Sequence, residues 1–499
     1  MKDVPEDVKN FLFDLHDASR NMFDKESVEE LYNLRFIELT DRFYDKQPWP
    51  SVELIENECQ RDREVDQFFL LFYKEMKMRH LFTKLKPQIS DHVAAWHNYI
   101  SLFDALLLNP ELCMSTLWVC DIVQEFVYHF QDFCQLRCTT ANNKMKEEDV
   151  EILIENKEIW TLPKVMKILN SLIESSKKFE ETDNCLHIFG YFALLEKARL
   201  ECLLGDFSTS LKTISSINLS DKNQRFTEVP LCHASILYHT GVCLVMMRRY
   251  SEAVEILSYI ILQISKDSKT STSSQTTSQI KKIEEKSLAL ATIAYVLCPS
   301  VNIHDQVLEQ MDSKAPERLR KLQNGDLNTF VDIFEKVCPK FISPAVPDYK
   351  EIDTPRTNAC HEAFRAQVQN LSSQLEQQLA LVNLRTYLRL YSSINIEKLA
   401  SLYDSTSEEF TAKLISFKHR VSGSQLTTSD DIDIIDNNQL NSKSDMKFFI
   451  NEQLLNIDSS TSKQGKGREI ERFFLSSVRK NSQIRSDVAR VIDKYVLEK

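Results

Sequence analysis

The chain has 499 residues, of which 42% are hydrophobic and 27% charged, with a formal net charge of −12. That leaves room for about three ordinary domains and a large core, and it argues against a surface that is basic throughout, as a general nucleic-acid footprint would be. Only seven glycines occur, with neither GxGxxG nor GxxxxGK[ST], so the nucleotide-binding enzymes that use glycine in phosphate-cradling turns are not expected.

The opening MKDVPEDVKNFLFDLHD carries acids through its first apolar residues and lacks the basic and apolar regions of a signal peptide. No apolar run approaches the ~18 residues that span a membrane, so no membrane partner is expected and a cytoplasmic location is. Twelve cysteines without a CxxC fit buried thiols in a reducing compartment better than a disulfide framework.

The dominant period is helical. In DQFFLLFYKEMKMRHLFTKL, residues Phe68, Phe69, Phe72, Met76 and Phe82 recur at threes and fours, and VAAWHNYISLFDALLL and MSTLWVCDIVQEFVYHFQDFCQL repeat the pattern. Residues 1–140 therefore read as an N-terminal α-helical region, separated by the charged TTANNKMKEEDVE from a helical-repeat array over 150–390. Within that array CLLGDFSTSLKTI (202–214) returns 43 residues later as VMMRRYSEAVEIL (245–257), matching Phe207 with Tyr250, Leu211 with Val254, Ile214 with Leu257 and Ile217 with Ile260. Small residues stand twelve positions before Ser210 (Ala198) and Ala253 (Gly241), which lets paired antiparallel helices approach closely. This is a tetratricopeptide-like arrangement, with units longer than the usual ~34 residues. GDLNTFVDIF (325–334) is a weaker echo, with Phe330 in place of the small residue.

A Ser/Thr-rich segment, KDSKTSTSSQTTSQIKK (266–282), reads as a mobile loop, and CPKFISPAVPDY (338–349), with three prolines, as extended chain. A long helix is expected from about Glu362 to Tyr391. After Ser393 come a short helix, a turn at Asp404–Thr406, and a helix Ser407–Val421 that Ser405 or Thr406 can cap, with Glu408 and Glu409 in its first turn. An acidic loop over 422–445 follows, then KFFINEQLLNID, two short strands joined at Asn451–Gln453. Helix, helix and β-ribbon in this order make a winged-helix module at about 393–460. The chain ends on an apolar stripe, Ile470, Phe474 and Val478, then Ile484, Val488, Val491, Ile492 and Tyr495, expected on a C-terminal helix or helix pair over 466–499.

No constellation for chemistry emerges. His92 and His97 are five apart, not the four of HExxH. His129, Cys134 and Cys138 share one helical stretch, yet structural zinc needs four closed ligands and no second ligand pair lies near. Buried thiols are the expectation. GxSxG and His-x-His…Asp are absent, so neither catalytic residue, cofactor nor metal is expected. Lys413, Lys418, His419 and Arg420 on the helix Ser407–Val421 would meet phosphates if that helix read DNA, but Glu408 and Glu409 occupy the turn that normally meets base edges. A second basic cluster includes Lys463, Lys466, Arg468, Arg479 and Lys480; as a solvated face it balances Glu469, Glu471 and Asp487, and weak RNA contact is the minority reading.

Helical repeats running into a winged helix are the layout of the PCI domain, shared by scaffold subunits of the proteasome lid, the signalosome and the translation initiation complex. FFLLFYKEMKMRHLF, WVCDIVQEFVYHFQDFCQLRC, LECLLGDF, LVMMRRYSEAVEIL, CPKFISPAVPDY and EFTAKLISFKHR together resemble the subunit L family of eukaryotic translation initiation factor 3, over residues from about 30 to about 475. The resemblance implies an all-α helical-repeat solenoid ending in a winged-helix PCI module (PCI domain 255–465) with C-terminal helices. It implies a non-catalytic scaffold subunit acting with other PCI-type subunits on the small ribosomal subunit. Partner-facing edges would be Lys447–Asn451 and Leu454–Asp458, with Phe448, Phe449, Ile450, Leu454, Leu455 and Ile457, and a shared helix bundle would hold Ile470, Phe473, Phe474 and Val478. The alternatives are a winged-helix nucleic-acid-binding regulator, or a PCI subunit of the proteasome lid or signalosome.

Overall fold

Helical periodicity carries through to the fold, in which helices follow one another almost without interruption. A computed structural model describes residues 4–20, 30–59, 67–108, 114–140, 147–178, 184–217, 219, 225–267, 274–298, 303–314, 316–347, 359–426, 447–451, 453–458, 478, 481–482, 484–485 and 488. It divides into two units, Met1–Val296 with Ile303–Leu375, and Leu297–Asn302 with Glu376–Lys499.

The first unit begins with α1 (Glu6–Arg20), a π-helical turn running into α2 (Phe36–Phe43), α3 (Val52–Cys59), α4 (Gln67–Lys84), α5 (Ile89–Leu108), α6 (Thr116–Thr140) and α7 (Glu147–Glu155). Aromatic side chains fill it. Phe11 lies 6.1 Å from Trp49, whose indole donates to Thr40 Oγ1, and Phe68, Phe69, Phe72 and Met76 are buried on the face their spacing predicts. Phe82 packs edge-on against His129 at 4.1 Å. The array continues through α8 (Leu162–Ser176), α9 (Cys185–Leu204), α10 (Phe207–Ile214), α11 (Pro230–Met246), α12 (Tyr250–Asp267), α13 (Ser274–Leu297), α14 (Asp305–Lys314), α15 (Pro316–Gln323), α16 (Leu327–Val337) and α17 (Ala359–Leu390). Helices adjacent in sequence pack on one another, α8 on α9, α9 on α10, α11 on α12, as a helical-repeat solenoid requires.

The 43-residue repeat is a repeat of turn geometry. At the end of α9, Gly205 N–H bonds Cys202 O at 3.1 Å and Asp206 N–H bonds Glu201 O at 3.0 Å. At the end of α11, Arg248 N–H bonds Val245 O at 3.1 Å and Arg249 N–H bonds Leu244 O at 2.9 Å; after α15, Gly325 N–H bonds Leu322 O and Asp326 N–H bonds Lys321 O. All three are Schellman turns with a left-handed residue, φ 87° at Gly205, 63° at Arg248 and 81° at Gly325. The third turn is thus a full copy, although Phe330 replaces the small residue and is itself buried. Close approach follows at the small residues: Ser210 Oγ donates to Ala198 O at 2.7 Å. A Cβ on Gly241 would come within 2.5 Å of Leu257 Cδ2, so Gly241 accommodates Leu257.

The Ser/Thr-rich segment departs from the loop reading. Residues 274–282 belong to α13, because the buried Leu288, Leu290, Ala291, Ile293 and Ala294 downstream give that helix an apolar face to dock; 268–273 lie outside the described residues. The proline-rich segment is extended as its composition predicts, and Ile342 N–H bonds Leu203 O at 3.0 Å.

The second unit contains the end of α17, then β1 (Ser393–Asn395), α18 (Ile396–Leu402), α19 (Ser407–Leu426), β2 (Lys447–Asn451) and β3 (Leu454–Asp458). Asn395 caps α18 by accepting from Glu397 N–H, and Thr406, not Ser405, caps α19 through Glu409 N–H. Helix α19 runs through 422–426, part of the segment expected as loop; 427–446 lie outside the described residues. The sheet is antiparallel in the order β1-β3-β2, with one strand more than the two expected from the sequence. Its core joins Leu384 and Leu388 of α17 to Ile394, Ile396, Leu399, Phe410, Leu414, Phe417, Phe448 and Leu455.

Candidate interaction surface

Strand alternation decides which of the expected partner residues face outward. Register pairs Phe448 with Ile457, Phe449 with Asn456, and Ile450 with Leu455. Phe448 (2% exposed) and Leu455 (0%) point into the core, and Phe448 stacks on Phe417 at 5.9 Å with rings 8° apart. Ile450 and Ile457, on the same face, are half-buried against that core. Phe448 and Leu455 therefore hold the sheet on its helices and present no side chain to a partner, which corrects the expectation for these two. Phe449 (55% exposed) and Leu454 (45%) lie on the opposite face. The ammonium of Lys418 stands 5.5 Å from the Phe449 ring centroid.

A second correction concerns the edges. Leu454–Asp458 pairs with β2 on one side and, through Ser393↔Asn456 and Ile394↔Leu455, with β1 on the other, so it is the central strand. The outer edge of β2, Lys447–Asn451, pairs with no strand among the described residues and keeps a row of backbone donors and acceptors for another strand. The exposed apolar residues Leu402, Ile415, Phe449 and Leu454 all belong to this unit.

Helix α19 opens on Glu408 and Glu409, both exposed, which sets negative charge where a recognition helix would meet bases. Lys413 lies over the Tyr403 ring at 5.2 Å; the side chains of His419 and Arg420 are outside the described residues. Of the expected bundle residues, Val478 is helical and 61% exposed, as are Ile484 and Val488 at lower values, while Ile470, Phe473 and Phe474 lie outside the described residues. So do Lys463, Lys466, Arg468, Arg479 and Lys480.

Buried polar groups in the first unit are arranged for packing. Arg79 pairs with Glu75 and with Asp121 at 3.3 Å, and burial pushes both carboxyls up. Glu125 is raised to about 7, by burial first and by Asp121 and Asp132 next, with Arg79 opposing. Burial pushes His129 down to about 3 and the Cys134 thiol up to about 12, states of a neutral ring and a protonated thiol inside a core. Among the described residues no group of His, Cys, Asp and Glu has the geometry to hold a metal ion. A shallow groove of about 570 Å³ between Thr161–Lys164 and Pro344–Val346 offers two charges, Glu158 and Lys164, which pair with each other at 3.0 Å. No described helix is long and apolar enough to cross a membrane.

Sequence comparison matches residues 91–481 to the family described as RNA polymerase I-associated factor PAF67. A Nematostella vectensis protein named eukaryotic translation initiation factor 3 subunit L is 32% identical over 478 residues, covering 91% of this chain and 88% of the relative. Proteins of the same name from Danio rerio and Homo sapiens are each 30% identical over 501 residues, covering 91% of this chain and 84% and 86% of theirs. The chain belongs to the initiation factor 3 subunit L family.

The match to the PAF67 family model begins inside α5 and ends beyond β3, so it takes in the repeat turns, β2, β3 and the exposed Phe449 and Leu454. Sequence reasoning missed β1, and with it the central position of β3. The signal that could have found the outward residues was present: in KFFIN and LLNID the apolar positions alternate with Lys447, Asn451, Asn456 and Asp458, and alternation assigns faces.

Proposed function

We propose that the chain is a non-catalytic scaffold subunit of a cytoplasmic initiation factor 3 complex, acting through protein contacts in translation initiation on the small ribosomal subunit. The similarity to proteins named subunit L, spread over 91% of the chain, carries this reading. The PCI module over 255–465 offers the outer edge of β2 as a pairing template, with Phe449 and Leu454 beside it, to neighbouring PCI-type subunits. The segment with Ile470, Phe473, Phe474 and Val478 enters a shared helix bundle, and the exposure of Val478 in the isolated chain supports that. RNA contact through Lys463, Lys466, Arg468, Arg479 and Lys480 is secondary to these protein contacts.

Truncation after Thr461 tests the bundle. The repeat array is expected to stay folded by circular dichroism while co-purification with the other subunits is lost; retained assembly would sink the bundle assignment. A winged-helix nucleic-acid regulator is the competing class. Changing Lys413, Lys418 and Arg420 to Glu would then weaken binding with a marked salt dependence, and absence of binding by the wild-type chain at low salt removes that class.

A further inference from the structure

Of the three Schellman turns in the first unit, the one after α11 breaks the pattern that the other two share. Gly205 and Gly325 hold the left-handed position without a side chain, and Asp206 and Asp326 follow them as caps, accepting from Thr209 N–H and Asn328 N–H at 3.2 Å each. The α11 turn has Arg248 at the left-handed position and Arg249 at the cap. An L side chain at φ 63° is strained, and a cation at a helix start opposes the dipole. The guanidinium of Arg249 offsets this locally by binding the Glu252 carboxylate, Nε to Oε1 at 2.7 Å.

Arg248 has no such compensation. It is exposed, and among the described residues no carboxylate pairs with it. Met247 beside it is 41% exposed. Side-chain room distinguishes the turns: a Cβ at Gly205 would meet Gln367 Nε2 at 2.5 Å, whereas at Gly325 nothing lies within 4 Å. Open space alone therefore does not call for a side chain, since Gly325 has it and remains glycine. Residues that break a local rule without gain inside the fold mark places where the gain lies outside it.

We infer that the Met247–Arg248 corner is a docking point for a protein partner that presents an Asp or Glu carboxylate beside an apolar contact. Protein is favoured over nucleic acid by the charge census. One free guanidinium next to a thioether is the composition of a protein interface, in which Arg and Met are enriched. A phosphate backbone is held by several cations, and the adjacent Arg249 is already neutralised.

This inference rests on the proposed membership of an initiation factor 3 complex, so its test uses the complex reconstituted from the other purified subunits. The full chain carrying Arg248→Gly is expected to unfold at or above the wild-type midpoint, and to dissociate from the complex about tenfold faster, because the strain and the charge leave together. A photo-cross-linking residue in place of Met247 is expected to label a peptide of another protein subunit containing Asp or Glu. Equal dissociation of the wild-type and Arg248→Gly chains, or a label on RNA, overturns the inference and leaves the proposed function standing. A wild-type chain that does not join the complex overturns both.

Discussion

Arg137 of α6 donates from its guanidinium to the main-chain carbonyl of Ile159 at 2.7 Å, and the same group reaches Lys157 O at 3.1 Å and Trp160 O at 3.4 Å. These carbonyls lie in the turn between α7 and α8, where no helix hydrogen bond supplies them with donors. The turn delivers Trp160 at φ 47°, fully buried, with its indole donating to His92 O at 2.9 Å and its ring 4.9 Å from Trp96. A left-handed tryptophan persists because its surroundings over-determine it. Arg137→Met keeps the bulk and removes the donors, so a loss of about 3 kcal/mol is expected in urea unfolding of the first unit. A loss under about 1 kcal/mol would show that the carbonyls find other partners.

The strand faces make opposite demands on adjacent residues. Leu455→Ala opens a cavity among Ile394, Phe410 and Leu414 and is expected to cost about 2–4 kcal/mol. Leu454→Ala, on the exposed face, is expected to cost under about 0.5 kcal/mol. Parallel denaturation curves measure both, and equal costs would mean that the register is wrong.

Close helix approach is tested at Gly241. Any Cβ there meets Leu257 Cδ2 at 2.5 Å and Cγ at 2.8 Å, and Leu257 is fully buried, so Gly241→Ala is expected to cost about 1 kcal/mol. Gly241→Val adds bulk that Leu257 has nowhere to yield to and is expected to cost about 3 kcal/mol. A lower midpoint for Val than for Ala in thermal unfolding is the readout; the reverse order contradicts the packing.

Acid sensitivity has a named source. His129 and His239 are each pushed down to about 3 by burial, so they stay neutral in the folded chain while the unfolded chain protonates them near 6.5. Their contribution is complete above that value and is lost as pH falls from 6.5 towards 3, at about 1.4 kcal/mol per pH unit for each ring. Glu125 acts with the opposite sign: raised to about 7, it holds its proton in the folded chain, and stability falls as pH rises from 4.5 to 7. The His239→Gln variant is expected to lose about 1.4 kcal/mol per pH unit of the wild-type slope between pH 4.5 and 6. An unchanged slope in pH-dependent urea unfolding rules this out.

Much of this was legible in the residues. Phe68, Phe69, Phe72 and Met76 announced their helix face, Asn451–Gln453 the hairpin, and Pro339, Pro344 and Pro347 the extended segment, since each signal is local. Strand β1 was not legible: Ser393–Asn395 has a single buried apolar residue, Ile394, too little for a period, and becomes a strand only because β3 offers an edge. The helical start of α13 was hidden for a similar reason, because Ser and Thr are indifferent helix formers and the face that decides lies a turn or more downstream. For Arg248 the signal was in hand, since the alignment that sets Phe207 on Tyr250 also sets Gly205 on Arg248. Its meaning waited on the shared turn geometry.

The central claim is membership of an initiation factor 3 complex, and affinity purification of the tagged full chain from its native cells with quantitative mass spectrometry tests it most directly. Co-purification of the other initiation factor 3 subunits in near-equal amounts, with small-subunit ribosomal proteins, is the expected result. Recovery of proteasome-lid, signalosome or RNA polymerase I subunits in their place would contradict it.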